Sequence, residues 1–176
     1  VPVGFTIAQR LQVPFDLVLT KKIGHPLNPE YAIGAVGLED SYIIPHDEVS
    51  AEYLEMAKEK VRRRLREMQA LYKQGHPMLP IVGKTVIVVD DGIATGNTLL
   101  VTIRMLRKSK PARIVVAAPV SSRRALERLQ QEADDCICLM VPSLFTGVGA
   151  FYKDFSEVTD EKVAGIMRQA SSPVNE

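Results

Sequence analysis

The sequence predicts an α/β fold, a parallel sheet core flanked by helices, and three observations carry that reading. First, Thr85 to Val89, Ile114 to Val120 and Cys136 to Val141 are unbroken apolar, largely β-branched runs. Such runs read as parallel strands covered on both faces. Second, the stretches between them, Leu99 to Arg107 and Arg123 to Gln131, have helical spacing, the alternation that builds a parallel sheet. Third, 176 residues with 46% apolar content suffice for one core. Residues 1–170 are therefore expected to form a single domain, with residues 171–176 a frayed tail.

Taken in order, Val3 to Leu11 has helical spacing, and Phe15 to Thr20 reads as a short strand running into Lys21 and Lys22. The chain starts at Val1, with a Pro-Val-Gly helix entrance, so a preceding segment is expected. Gly24 to Pro29 is dense in turn formers and is expected to be an irregular loop. Ala32 to Leu38 and Ser41 to Ile44 follow as two strands of a hairpin turning at Glu39-Asp40. From Ser50 to Lys73, Leu54, Ala57, Val61, Leu65, Met68 and Tyr72 recur every three or four residues, predicting a long amphipathic helix stopped by Gly75 and Pro77. Its arginines Arg62, Arg63, Arg64 and Arg66 are interleaved with Glu55, Glu59 and Glu67, the pattern of a solvated face. After the third parallel strand come Phe145, Phe151, Tyr152 and Phe155, then a short helix near Asp160 to Met167.

The formal net charge of +1 provides no field to draw a polyanion, so nucleic acid is not an expected partner. No apolar run reaches the roughly 20 residues of a membrane span and no secretion signal opens the chain, which makes the cytoplasm the expected compartment. Cys136 and Cys138 share one face of a strand, a geometry poor for a mutual disulfide, and are expected to be buried and structural. His25, His46 and His76 have no mutual spacing that suits a metal, so surface loops are expected for them and no protein-held metal is assigned. Gly83-Lys84-Thr85 imitates a nucleotide P-loop, but Met78 stands at its first glycine position and the triplet precedes a strand. Gly147 and Gly149 lack the third glycine of a dinucleotide fingerprint, since Tyr152 occupies it.

The chemistry lies in the string Val86-Ile87-Val88-Val89-Asp90-Asp91-Gly92-Ile93-Ala94-Thr95-Gly96-Asn97-Thr98. A buried strand ends at two carboxylates, turns at a glycine and opens a helix through small and hydroxyl residues. Ligands of open α/β sheets bind at the carboxyl ends of the strands. Loop amides and the positive end of the following helix suit a phosphate dianion, Thr95 and Thr98 add donors, and Ala94 and Gly96 allow close approach. The carboxylates would repel that phosphate unless they serve another part of the ligand. Ribose 5-phosphate has the required layout, with its hydroxyls on Asp90 and Asp91 and its phosphate on the loop.

This string resembles the signature of the type I phosphoribosyltransferases, which bind phosphoribosyl pyrophosphate (PRPP); Gly92 departs from it, since the family usually has an apolar residue or serine there. Gly24 to Pro29, Ala32 to Val36 and Phe151 to Thr159 are similar to a bacterial subgroup of these transferases whose acceptors are undefined. The resemblance implies a type I phosphoribosyltransferase-like core with an inserted flexible loop or hairpin and a long helix. It implies that Asp90 and Asp91 bind the ribose hydroxyls, that Ala94, Thr95, Gly96, Asn97 and Thr98 wrap the 5-phosphate, and that Gly92 and Ile93 between them belong to the same PRPP-binding loop. Lys21 and Lys22 look like the family's catalytic basic element that meets the pyrophosphate. The family's first strand and pyrophosphate loop correspond to residues before Val1.

The implied reaction transfers the 5-phosphoribosyl group from PRPP to a nitrogenous base or other small nitrogen acceptor, with Mg2+ carried mainly by PRPP and water. Phe145, Phe151 and Tyr152 are candidate acceptor contacts, although each could instead pack in the core. Ala94 stands where hypoxanthine-using relatives place an acid, and Ala-Thr-Gly looks closer to adenine-using ones. A homodimer is allowed. Two other readings stand beside this one: a regulatory module that binds PRPP or a nucleotide without turnover, and a phosphotransfer receiver in which Asp90 and Asp91 bind a metal.

Overall fold

The computed structural model describes residues 1–38, 40–44, 48–73 and 78–171, with every side chain among them except those of residues 29, 30 and 32. The three apolar runs form β4 (Thr85–Val89), β5 (Arg113–Val120) and β6 (Asp135–Met140), joined by helices α3 (Asn97–Lys108) and α4 (Arg123–Leu129). The strands are parallel in the order β4-β5-β6, with Val86 beside Ile114 and Val116 beside Cys136. Val88, Ile114, Val116 and Ala118 on one face pack against Leu99, Ile103, Leu106, Ala125 and Leu129 of the two helices. Leu129, Ile103 and Ile114 are completely buried there, each side chain contributing about 1.5–3 kcal/mol by leaving water.

The opposite face is only partly covered, contrary to the expectation from its continuous apolar runs. Helix α1 (Pro2–Leu11) reaches one end of it, where Gly4 lies against Val89. Ile87, Ile137 and Leu139 remain 37%, 53% and 83% exposed. Cys136 and Cys138 are half-buried free thiols, not fully buried, because only the α3/α4 side of β6 meets a packed layer.

A second sheet precedes the first. Strands β1 (Thr20–His25), β2 (Asn28–Gly37) and β3 (Ser41–Ile43) pair antiparallel in sequence order. Two expectations change here. Phe15 to Leu19 is not a strand: Leu17 and Phe15 pack into a helical cluster with Tyr72, Val163 and Met167, and the Asp16 carboxylate accepts from the Leu17 and Leu79 amides. Those groups take the place of a ladder. Gly24 to Pro29 is not an irregular loop either, since β1 and β2 run through it with register shifts around Gly24, and only Pro26-Leu27 turns. The β2/β3 hairpin forms as expected; Glu39 of its turn lies outside the described residues.

Helix α2 (Ala51–Lys73) matches the predicted amphipathic segment, and its apolar side covers Ile23, Ile33 and Val36 of the hairpin sheet. The stop signals Gly75 and Pro77 lie outside the described residues. Three i,i+3 ion pairs run along α2, Lys58 with Glu55, Arg62 with Glu59 and Arg64 with Glu67; the glutamates and Arg64 are exposed, whereas Lys58 and Arg62 are half-buried. Helix α5 (Asp160–Ser171) packs on α2, where the Tyr72 hydroxyl donates to Asp160. Burial and that carboxylate push the Tyr72 phenol up to about 12.

Candidate functional site

Asp90 to Gly96 continue from the carboxyl end of β4 into α3, tied to the neighbouring strand at each step. The Asp90 amide donates to the Ala117 carbonyl at 3.1 Å, the Ile93 amide to Val120 at 2.9 Å, and the Ser122 amide back to Ile93 at 2.9 Å. Ile93 is 2% exposed and bridges to Ser121 as a strand residue would. This buried anchor divides the loop into an acidic half before it and a small, hydroxyl-rich half after it.

In the acidic half both carboxylates are half-buried, and an Asp90 oxygen accepts the Asp91 amide at 3.0 Å. Burial, reinforced by the adjacent Asp91 charge, pushes the Asp90 carboxyl up to about 6. Two carboxylates brought together out of water need an external donor, and vicinal hydroxyls supply one. In the other half, Ala94, Thr95 and Thr98 are exposed. Gly96 has φ 72°, a left-handed turn that glycine adopts without strain, and starts α3 with no side-chain cap and no acid in the first turn. The Asn97 amide donates to Thr95 Oγ1 at 3.5 Å, and the cap residue itself offers the next first-turn amides no side chain, an arrangement that suits an anion.

Several supports of the loop come from residues distant in sequence. The Ser122 hydroxyl donates to the Ala94 carbonyl at 2.7 Å, and Arg128 donates to the Thr95 carbonyl at 3.2 Å and to the Asn97 side chain at 3.0 Å. With Thr95, Asn97 and Arg124 these residues line a cavity of about 260 Å3 beside the loop. Ser121 and Ser122 end β5 just as Asp90 ends β4, so the rule that selects strand carboxyl ends could have found them. Arg128 lies near the far end of α4, where no local pattern marks it.

The two lysines separate. Lys22 lines a groove with Asn97, Thr98, Arg104 and Arg128, between the hairpin sheet and α3. Lys21 alternates onto the other face of β1, the side on which Ile23 packs under α2. The aromatic candidates are half-buried. Phe145 and Phe151 stack at 5.8 Å, while the Tyr152 hydroxyl donates to the Asp91 carbonyl at 2.6 Å. Tyr152 therefore serves the loop backbone in this structure. Val148, in the 3-10 turn Val148–Phe151, lies against Gly92, where a Cβ would come within 2.8 Å of Val148 Cγ2. That packing accounts for glycine where the signature usually has a larger residue.

Among the described residues no cluster of three or more His, Cys, Asp or Glu side chains could hold a metal ion, and no helix is long and apolar enough to cross a membrane. His25 is half-buried at the hairpin turn, its Nδ1 accepting the Leu27 amide; His46 and His76 lie outside the described residues.

Comparison with known proteins places this arrangement among relatives. The model of the phosphoribosyl transferase domain matches residues 1–155. Two Mycobacterium tuberculosis proteins, named Putative phosphoribosyl transferase Rv0571c (strain H37Rv) and MT0597 (strain CDC 1551), are each 33% identical over 175 residues. That match covers 97% of this chain but 40% of either relative's length. The crystal structure of TT1426 from Thermus thermophilus is 38% identical, with a TM-score of 0.84 over 96% of this chain and 82% of that one.

Proposed function

Because the chain belongs to the phosphoribosyl transferase domain family, we propose that it seats the ribose 5-phosphate part of PRPP in the loop Asp90 to Thr98 and transfers the phosphoribosyl group to a small nitrogen acceptor. The observation that carries this reading is the divided loop: two half-buried carboxylates on one side of Ile93, and an uncapped helix start among exposed hydroxyls on the other. No single simple anion satisfies both halves, whereas a sugar phosphate does.

In this reading Asp90 and Asp91 accept the ribose hydroxyls, while the amides and hydroxyls from Ala94 to Thr98 hold the 5-phosphate. Nitrogen attacks the anomeric carbon as its bond to the pyrophosphate oxygen breaks. The electron pair leaves with pyrophosphate, and the nitrogen sheds its proton. The protein's contribution is positioning and charge stabilisation. Lys22 shares a groove with Asn97 and Thr98, which supports giving it the leaving group to meet. Magnesium would come with the pyrophosphate and its own waters, the way this ion is usually held, and needs no cage of protein ligands. When bound it would neutralise phosphate charge. The Phe145/Phe151 stack is the candidate platform for a flat acceptor.

The test is pyrophosphate release from PRPP and magnesium across a panel of bases and small amines. An acceptor-dependent release that disappears in Asp90→Asn/Asp91→Asn supports a transferase. PRPP binding with no release for any acceptor would instead support a non-catalytic binding module.

A further inference from the structure

The segment after β6 crosses back over the loop and touches it at two consecutive residues in two different ways. One contact is polar: the Tyr152 hydroxyl donates to the Asp91 carbonyl at 2.6 Å. The other is steric: the Val148 methyls fill most of the space that a side chain at position 92 would occupy, and Val120 Cγ1, 3.1 Å from that Cβ position, closes the rest. The C=O and N–H of a trans peptide point in opposite directions, so holding the Asp91 carbonyl also fixes where the Gly92 N–H points. That N–H has no hydrogen-bond partner among the described residues. The contacts are themselves braced, since the Tyr152 ring packs on Phe155 at 5.1 Å and Phe155 also lies against Gly149. The same short segment includes Phe151, which stacks on Phe145.

We propose that Val148 to Tyr152 form a strap that sets the backbone geometry of the acidic pair, with Tyr152 as a positioning residue for the ribose grip. The proposal rests on the PRPP reading of the loop and deepens it. A half-buried aromatic that only packed would need no hydroxyl, and a loop that only turned would need no valine seated against its glycine. The strap also joins the ribose side of the site to the aromatic stack by a few residues of chain, so an acceptor that shifts Phe151 would act on Asp91. A phenol is already a donor at neutral pH, and burial with the neighbouring Asp91 and Asp90 charges shifts Tyr152 further in that direction.

The test is calorimetry of PRPP with magnesium on the full chain and three variants. Tyr152→Phe keeps the ring and removes one hydrogen bond, and should weaken PRPP roughly 2- to 12-fold. Gly92→Ala should weaken it further by displacing Val148, and Gly92→Ala/Val148→Ala should recover the part of that loss that Val148 causes, the Val120 contact at 3.1 Å being common to both variants. The recovery separates positioning from general damage to the fold. Wild-type binding with Tyr152→Phe and Gly92→Ala unaffected, or a double variant no better than Gly92→Ala, overturns the strap and leaves the PRPP reading standing. A wild-type chain that does not bind PRPP overturns both.

Discussion

Asp90 and Asp91 stand side by side at a strand end, and the environment treats them unequally. Burial raises Asp90 to about 6, above its ordinary value near 3.8. A carboxyl raised in this way favours the folded state fully below about 3.8, and that contribution is lost as pH rises through about 6. Urea unfolding should therefore find Asp90→Asn more stable than wild type near pH 7, with the advantage shrinking toward pH 4. A constant difference across that range would mean Asp90 is not held out of water. For the neighbouring side chain, Asp91→Asn should weaken PRPP by roughly 10- to 150-fold, the loss of a charge-assisted hydrogen bond worth about 1.5–3 kcal/mol. Calorimetry showing unchanged affinity in the folded variant removes Asp91 from the grip. These residues were legible in the sequence because strand, acids and small loop are contiguous. Ser122, Arg128 and the Tyr152 latch were not, because they reach the loop from 28, 33 and 61 residues away.

Among the helices and strands, period decided what could be read. Helix α2 and the three parallel strands have long, regular patterns, and they form where the spacing places them. Strand β1 does not. Its apolar prelude Phe15 to Leu19 looks like a strand but packs among helices, while the turn formers after it are drawn into the hairpin by pairing with β2. Tertiary contacts overrode local preference in both places. The correction also separates the lysines, since consecutive residues of a strand face opposite ways. Lys22→Ala should lower kcat/KM with PRPP by about tenfold or more, and Lys21→Ala should change it less than about threefold, by steady-state kinetics on each variant. Equal losses would mean that both ammonium groups reach the pyrophosphate, against the alternation of β1.

Across the whole molecule, the site depends on how α3 is held. That helix begins at the proposed phosphate seat, and Arg104 near its end joins Tyr42 of the hairpin sheet to Glu132 beyond α4. Further away, Lys73 at the end of α2 is 3% exposed, with its ammonium 2.6 Å from Asp16 ahead of β1. Removing one partner of a buried pair strands the other charge, so Asp16→Ala should cost about 3–5 kcal/mol of stability in denaturant unfolding. A loss under about 1 kcal/mol would mean that Lys73 reaches water, as exposed ion pairs do. The open face of the parallel sheet was not legible, because an apolar run records what a strand is made of and not which of its faces is covered.

The decisive experiment is a crystal structure of the intact protein with PRPP and magnesium bound. In that complex the 5-phosphate should sit on the amides of Ala94 to Thr98, with the ribose hydroxyls within hydrogen-bond reach of Asp90 and Asp91. PRPP bound elsewhere, or with its phosphate and diol exchanged between the two halves of the loop, would overturn the divided-loop reading.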